Sequence, residues 1–166
     1  MLIEMKIAGI TIDPITSTPI VILKDLEEKK AIPIWIGLFE ASAIATQLEN
    51  ITFSRPMTHD LFTEIIGALG AEVTRIEINE LKNNTFFADI HLMREGKLTV
   101  IDARPSDAIA IALRTGAIIL VEEKVVEMSR NVDYGQKSPD MEKVKEENLK
   151  EFLENLSPDE FGKYKM

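Results

Sequence analysis

Two short stretches concentrate the residue types that handle phosphate. The first is Arg55-Pro56-Met57-Thr58-His59-Asp60-Leu61, and the second is Asp102-Ala103-Arg104-Pro105-Ser106-Asp107-Ala108. In each, an Arg-Pro pair leads into a run that reads as the start of a helix. A helix start presents backbone N–H groups without intrahelical partners and favours anions. An adjacent guanidinium adds a planar, two-pronged phosphate donor. His59 falls in a first helical turn, where the dipole disfavours the imidazolium form. A neutral imidazole able to take a proton is the expectation there, against the alternative of a solvated or structurally bonded histidine. Asp102 and Asp107 lie five apart across a turn and could share Mg²⁺ or Mn²⁺, with Glu40 as a third carboxylate. The competing reading makes Asp107 and Glu40 dipole partners of their helices and Asp102 a local backbone acceptor.

Other candidates read as structure. No G-x-S-x-G pattern surrounds Ser106, which reads as a capping residue. Asp89 and His91 share one side of a strand and read as a solvated face. Trp35, in the apolar run Ala31 to Gly37, reads as core. No Walker loop, dinucleotide fingerprint, H-E-x-x-H or EF-hand pattern occurs.

Composition narrows the chemistry further. The 166 residues contain no cysteine, which excludes a disulfide framework, a thiol nucleophile and a thiolate zinc site. No apolar run approaches the roughly 18 residues that span a bilayer, and Glu4 comes too early for a secretory signal. The cytoplasm is the expected compartment. Abundant Lys and Glu with scarce Gln suit a heat-adapted protein. The net charge is −9; residues 137–166, with six Lys and eight Asp or Glu, carry −2 of it, so −7 belongs to the rest. Such acidity opposes simple electrostatic binding of nucleic acid. Contact with phosphate then needs a bound cation or a local basic cluster.

The elements that must position these residues follow from pattern and punctuation. Strands are expected over Ile7 to Ile12, Pro19 to Leu23, Ala31 to Gly37, Val73 to Ile78, Phe86 to Met93, Lys97 to Ile101 and Ile118 to Val121. Ala41, Ile44, Ala45 and Leu48 form one helical stripe. A second helix, N-capped by Thr58 and closed by Gly70, carries Leu61, Ile65, Ile66 and Leu69 as its core face. A third runs from Pro105 to Arg114 and ends at Gly116, and a short one covers Glu122 to Arg130. The order of three strands then a helix occurs twice, and Ala43 to Leu48 resembles Ala108 to Leu113 at an offset of 65 residues. The expectation is an α+β fold in which two duplicated strand-strand-strand-helix halves share a mainly antiparallel sheet or barrel, whose closure would remove edges. Residues 1–130 form this domain. Residues 131–166 form a linker and helical tail with an apolar stripe at Leu149, Phe152, Leu153 and Leu156.

Three motifs in order, Ile34-Trp35-Ile36-Gly37 with Glu40-Ala41 and the two Arg-Pro stretches, resemble the bifunctional nuclease domain family over about residues 1–130. The resemblance implies cleavage of RNA and DNA, a duplicated α+β arrangement around an antiparallel barrel, and a homodimer. It carries over motif residues Arg55, Thr58, His59 and Asp60 in one stretch and Asp102, Arg104, Ser106 and Asp107 in the other. The leading expectation is a nuclease in which His59 and Asp60 serve as catalytic groups, Arg55 and Arg104 hold phosphate, and Asp102, Asp107 and Glu40 bind Mg²⁺ or Mn²⁺. Two alternatives stand beside it: a non-catalytic dimeric scaffold, and a module binding a small phosphorylated ligand.

Overall fold

The computed structural model describes residues 1–130; the expected tail helix lies outside the described residues. In chain order the elements are β1 (Leu2–Ile12), β2 (Pro19–Asp25), β3 (Ala31–Trp35), α1 (Leu38–Leu48), α2 (Thr58–Ala68), β4 (Glu72–Lys82), β5 (Thr85–Arg94), β6 (Lys97–Ala103), α3 (Pro105–Thr115), β7 (Ile118–Glu122) and α4 (Glu123–Arg130). Turn chemistry sets the hairpins. Asn83 and Asn84 have φ of 50° and 58°, and Glu95 and Gly96 have 50° and 75°, the left-handed pairs that two-residue hairpins require.

The seven strands form one sheet in the order β3-β2-β1-β7-β4-β5-β6. All pairings are antiparallel except β4 with β7. Two three-stranded meanders thus stand on either side of β7. The repeated order matches the expected halves, but topology alone does not establish a duplication. Among the described residues the sheet is open, with β3 and β6 as edges, rather than closed into a barrel.

One face carries the core. Met5, Ile76, Ile78, Ala88, Ile90, Ile119 and Val121 lie buried with Ile44 and Ala45 of α1, Ala108 and Ile109 of α3, and Val125 and Val126 of α4. The helix α3 is buried along Ala108 to Ala112, and these mostly small residues let α1 and α2 each pack closely on it. Gly116, at φ 71°, ends it in the left-handed region.

Several local expectations are corrected. Thr58 is the first helical residue rather than the cap of α2; Met57 takes the cap position, and its backbone N–H donates to Asp60 Oδ2 at 2.9 Å. Ile66 is the one large apolar side chain that α2 buries, while Leu61, Ile65 and Leu69 face outward. Helix periodicity finds an apolar stripe but cannot say what covers it. Ser106 sits inside α3 and is buried; Arg104 holds the cap position and no side chain caps it. Trp35 is only half-buried because β3 is an edge strand, and its indole N–H donates to Asp13 Oδ2 at 3.0 Å. His91 is buried, not solvated. It lies beside Arg75 and Glu77, with Nε2 3.3 Å from Glu77 Oε1 in a geometry that makes no hydrogen bond.

Candidate active site

The N-terminal ends of α1, α2 and α3 meet, because α1 and α2 each pack on α3. Each contributes a first-turn carboxylate: Glu40, Asp60 and Asp107. Such residues favour the positive end of their own helix. Here they also reach across to the neighbouring helices.

The contacts form a chain. His59 Nε2 lies 2.9 Å from Asp107 Oδ1. Arg104 donates from Nε to the other oxygen of Asp107 at 2.7 Å. The same guanidinium reaches Glu40 Oε1 through Nη1 at 2.8 Å. Gly37 makes room for this arrangement, since a side chain there would run into Glu40 Oε2. The order across the three helix starts is therefore Glu40, Arg104, Asp107, His59.

Electrostatics follow from the geometry. Burial works to raise the Asp107 pKa, but hydrogen bonds from Arg104 and then His59 outweigh it and hold the carboxyl below the ordinary 3.8. An ionised carboxylate only accepts, so His59 donates from Nε2–H to Asp107, and in the neutral tautomer that this bond selects the lone pair stands on Nδ1. The bond to Asp107, and then its charge, push the Arg104 pKa up, so that side chain stays cationic while 65% exposed. Its Nη2 is engaged by neither carboxylate and can reach an anion. No side chain caps α3, so the first-turn backbone N–H groups of this helix lack a side-chain acceptor.

A second chain holds the corner from inside. Arg114 is nearly buried, its side chain 6% exposed. It donates to Asp60 Oδ1 at 2.6 Å, to the Ala43 carbonyl at 3.0 Å and to the Ala110 carbonyl at 2.9 Å. One guanidinium thus ties α1, α2 and α3 together. Both oxygens of Asp60 are engaged, one by Arg114 and one by the Met57 N–H. Burial tends to raise its pKa, and the Arg114 bond and then the Met57 N–H bring it below the ordinary value.

The structure therefore joins Glu40, His59, Arg104 and Asp107 and places Asp60 immediately behind them. It leaves two candidates outside. Arg55 is exposed in the loop before α2, and Asp102 is exposed on β6 opposite Asp89; neither side chain makes a hydrogen bond or ion pair among the described residues. Of the side chains expected to hold a divalent cation, Glu40 and Asp107 meet at this junction and Asp102 does not. The Arg104 guanidinium stands between Glu40 and Asp107, and among the described residues no three His, Asp or Glu converge on one point. Sequence reasoning missed Arg114. Its available signal, a basic residue in the last turn of α3, reads as a partner of the helix dipole and says nothing about Asp60, 54 residues away.

Known proteins place the chain. The bifunctional nuclease domain family matches residues 21–133, and the chain belongs to that family. An uncharacterized protein of Mycobacterium tuberculosis strain H37Rv is 36% identical over 162 residues, covering 95% of this chain and 97% of its own length. Bifunctional nuclease 2 of Oryza sativa subsp. japonica is 29% identical over 97 residues, 57% of this chain and 30% of the plant protein. Bifunctional nuclease 1 of Arabidopsis thaliana is 27% identical over 86 residues, 50% of this chain and 26% of the plant protein. Among the described residues, no helix is long and apolar enough to cross a membrane.

Proposed function

We propose that the chain is a nuclease that hydrolyses phosphodiesters at the junction of the three helix starts. The observation that carries this reading is the contact of His59 with Asp107, whose other oxygen binds an exposed Arg104. Asp107 sets the ring so that Nδ1 takes a proton from the attacking water as its oxygen bonds phosphorus; the ester P–O bond breaks and the leaving oxygen takes a proton from solvent. Asp107 then stabilises the imidazolium that forms, as a carboxylate behind a catalytic histidine does. Arg104, with the open N–H groups of α3, neutralises the charge that develops on the phosphoryl oxygens. Glu40 holds the guanidinium from the other side. Asp60 and Arg114 keep the α2 turn, and so His59, in place. The family membership and the plant relatives named as nucleases support the same reaction class.

The test is cleavage of labelled RNA and DNA by highly purified full chain, with Mg²⁺, Mn²⁺ or EDTA. His59→Ala is expected to lower turnover about 10²–10⁴-fold, the usual contribution of a general base. Asp107→Asn should fall comparably with the fold intact. Equal activity in all three proteins would trace it to a contaminant and remove the assignment. Loss in EDTA would establish a divalent-cation requirement.

The net charge of −9 favours a second reading, a module that binds a small phosphorylated ligand without turnover. Thermal stabilisation by mononucleotides in a chain that cuts neither polymer would select it. A homodimer in the cytoplasm completes the proposal. Support for the dimer is the outward apolar stripe Leu61, Ile65 and Leu69 and the edge that β6 presents among the described residues. Light scattering coupled to size exclusion would decide it by molar mass.

A further inference from the structure

We propose that two copies of the chain join through β6, which pairs antiparallel, edge to edge, with the same strand of a second copy; the proposal rests on the homodimer in the reading above and gives it an interface and a register. Among the described residues the sheet has two edges, and they are built differently. The β3 edge is five residues long and carries Pro33 at its centre, which has no N–H to offer a further strand. The β6 edge is seven residues long, contains no proline and runs opposite β5 without a bulge. Every side chain from Lys97 to Asp102 is exposed, including Leu98 at 45%, Val100 at 49% and Ile101 at 44%. Its charges, Lys97 and Asp102, flank an uncharged stretch from Leu98 to Ile101. A long, apolar edge of this kind is a template for another strand.

Charge and symmetry select a second copy as that strand. The chain carries −9, so two copies repel at long range, whereas β6 holds one Lys and one Asp and is neutral. Two identical antiparallel strands are related by a two-fold axis perpendicular to the sheet, so residues of the same face meet. An axis at Val100 pairs the whole of β6: Val100 with its counterpart, Thr99 with Ile101, Leu98 with Asp102 and Lys97 with Ala103. No like charges are opposed in this register. An axis at Thr99 or Ile101 leaves two residues of each strand unpaired. The pairing also sets the sites, because β6 runs directly into Arg104 and α3. Each Arg104 lies four residues beyond the axis, so the two junctions stand about 26 Å apart along the strands, with both helix layers on the same side of one continuous sheet.

Sedimentation equilibrium of the full chain reads the dimer dissociation constant. Val100→Lys sets two ammonium groups against each other at the axis and should raise that constant about 10-fold or more, while Val100→Thr, uncharged and β-branched, should hold it within about 2-fold. The chain has no cysteine, so single-cysteine variants test the register without background. Opposed Cα atoms lie about 4.5–5.5 Å apart, within disulfide range, so mild oxidation should link Val100→Cys into a covalent dimer. Leu98→Cys should stay unlinked alone, its two copies about 13 Å apart along the strands, and should link after subunit exchange with Asp102→Cys. This arm decides the matter even where Val100→Lys fails to fold. A dimer that is indifferent to Val100→Lys and unlinked in Val100→Cys would overturn β6 as the interface and leave the homodimer standing on the α2 stripe. Linking of Leu98→Cys alone would overturn the register. A monomer at every concentration would overturn the interface and the homodimer together.

Discussion

The two Arg-Pro corners look alike in sequence and are built differently. At the α3 corner, Pro105 is the first helical residue, Arg104 is the cap, and Arg104 reaches Asp107 three residues on. At the α2 corner the helix begins two residues after the proline, with Met57 as cap, and Arg55 stays in the loop. Its first-turn carboxylate, Asp60, is bound instead by Arg114 from α3. Register relative to the helix start decides the difference. An arginine at the cap can bend over its own first turn; one two residues earlier is directed away from it. The α3 corner is therefore closed by local contacts, and the α2 corner by a distant residue.

This contrast predicts unequal consequences. Removing the distant clamp should cost most. Arg114→Met leaves one oxygen of Asp60 without its cation and removes the guanidinium that joins α1, α2 and α3, and chemical denaturation should show a loss of about 3–5 kcal/mol. A loss below about 1 kcal/mol would mean that α2 is held by packing alone. Next comes Arg104→Ala, expected to lower turnover about 10²–10³-fold, the size of losing one preorganised donor, with a smaller change in stability. Comparable kinetics from Arg55→Ala would erase the distinction between the corners.

Acid should act on both corners. Asp60 and Asp107 have native pKa values below their ordinary 3.8, so the stability they contribute is fully present above about that value. It is lost as pH falls from there through the lowered native values. In Arg114→Met the Asp60 share of this dependence should shrink, because only the Met57 N–H bond and the nearby His59 remain to lower its pKa, read as a shallower slope of unfolding free energy below about pH 4. An unchanged slope would remove Asp60 from the account. The smallest effect belongs to Arg55→Ala, which should leave the melting temperature unaltered, within about 0.5 kcal/mol, as for an exposed side chain without partners.

Much of this arrangement is legible in the sequence where physics is local. Asn83-Asn84 and Glu95-Gly96 announce their hairpins, Pro105 and Gly116 bracket α3, and the two corners mark the right helix starts. Glu40, His59 and Asp107 were identifiable as candidates because residue type and a first-turn position are local facts. Their connection is not. Nothing near residue 40 announces Arg104, nor anything near residue 60 Arg114, because those pairs exist only after α1 and α2 pack on α3. Burial fails for the same reason. The α2 stripe and the His91 strand show the expected periodicity, yet one faces solvent and the other is covered by cross-strand neighbours.

The place of β7 has a consequence for how the chain acquires this structure. It is the last strand of the described residues, yet it sits in the middle of the sheet, antiparallel to β1 and parallel to β4. Each meander can zip up early from neighbouring hairpins, but Leu2 cannot find Glu122 until nearly the whole domain has left the ribosome. Until then β1 and β4 both present open edges, and the two preformed halves wait for one five-residue strand to join them. Folding should thus show a fast local phase and a slower, length-dependent one. A chain halted before Ile118 would expose two sticky half-sheets, and chaperone capture during synthesis should peak there.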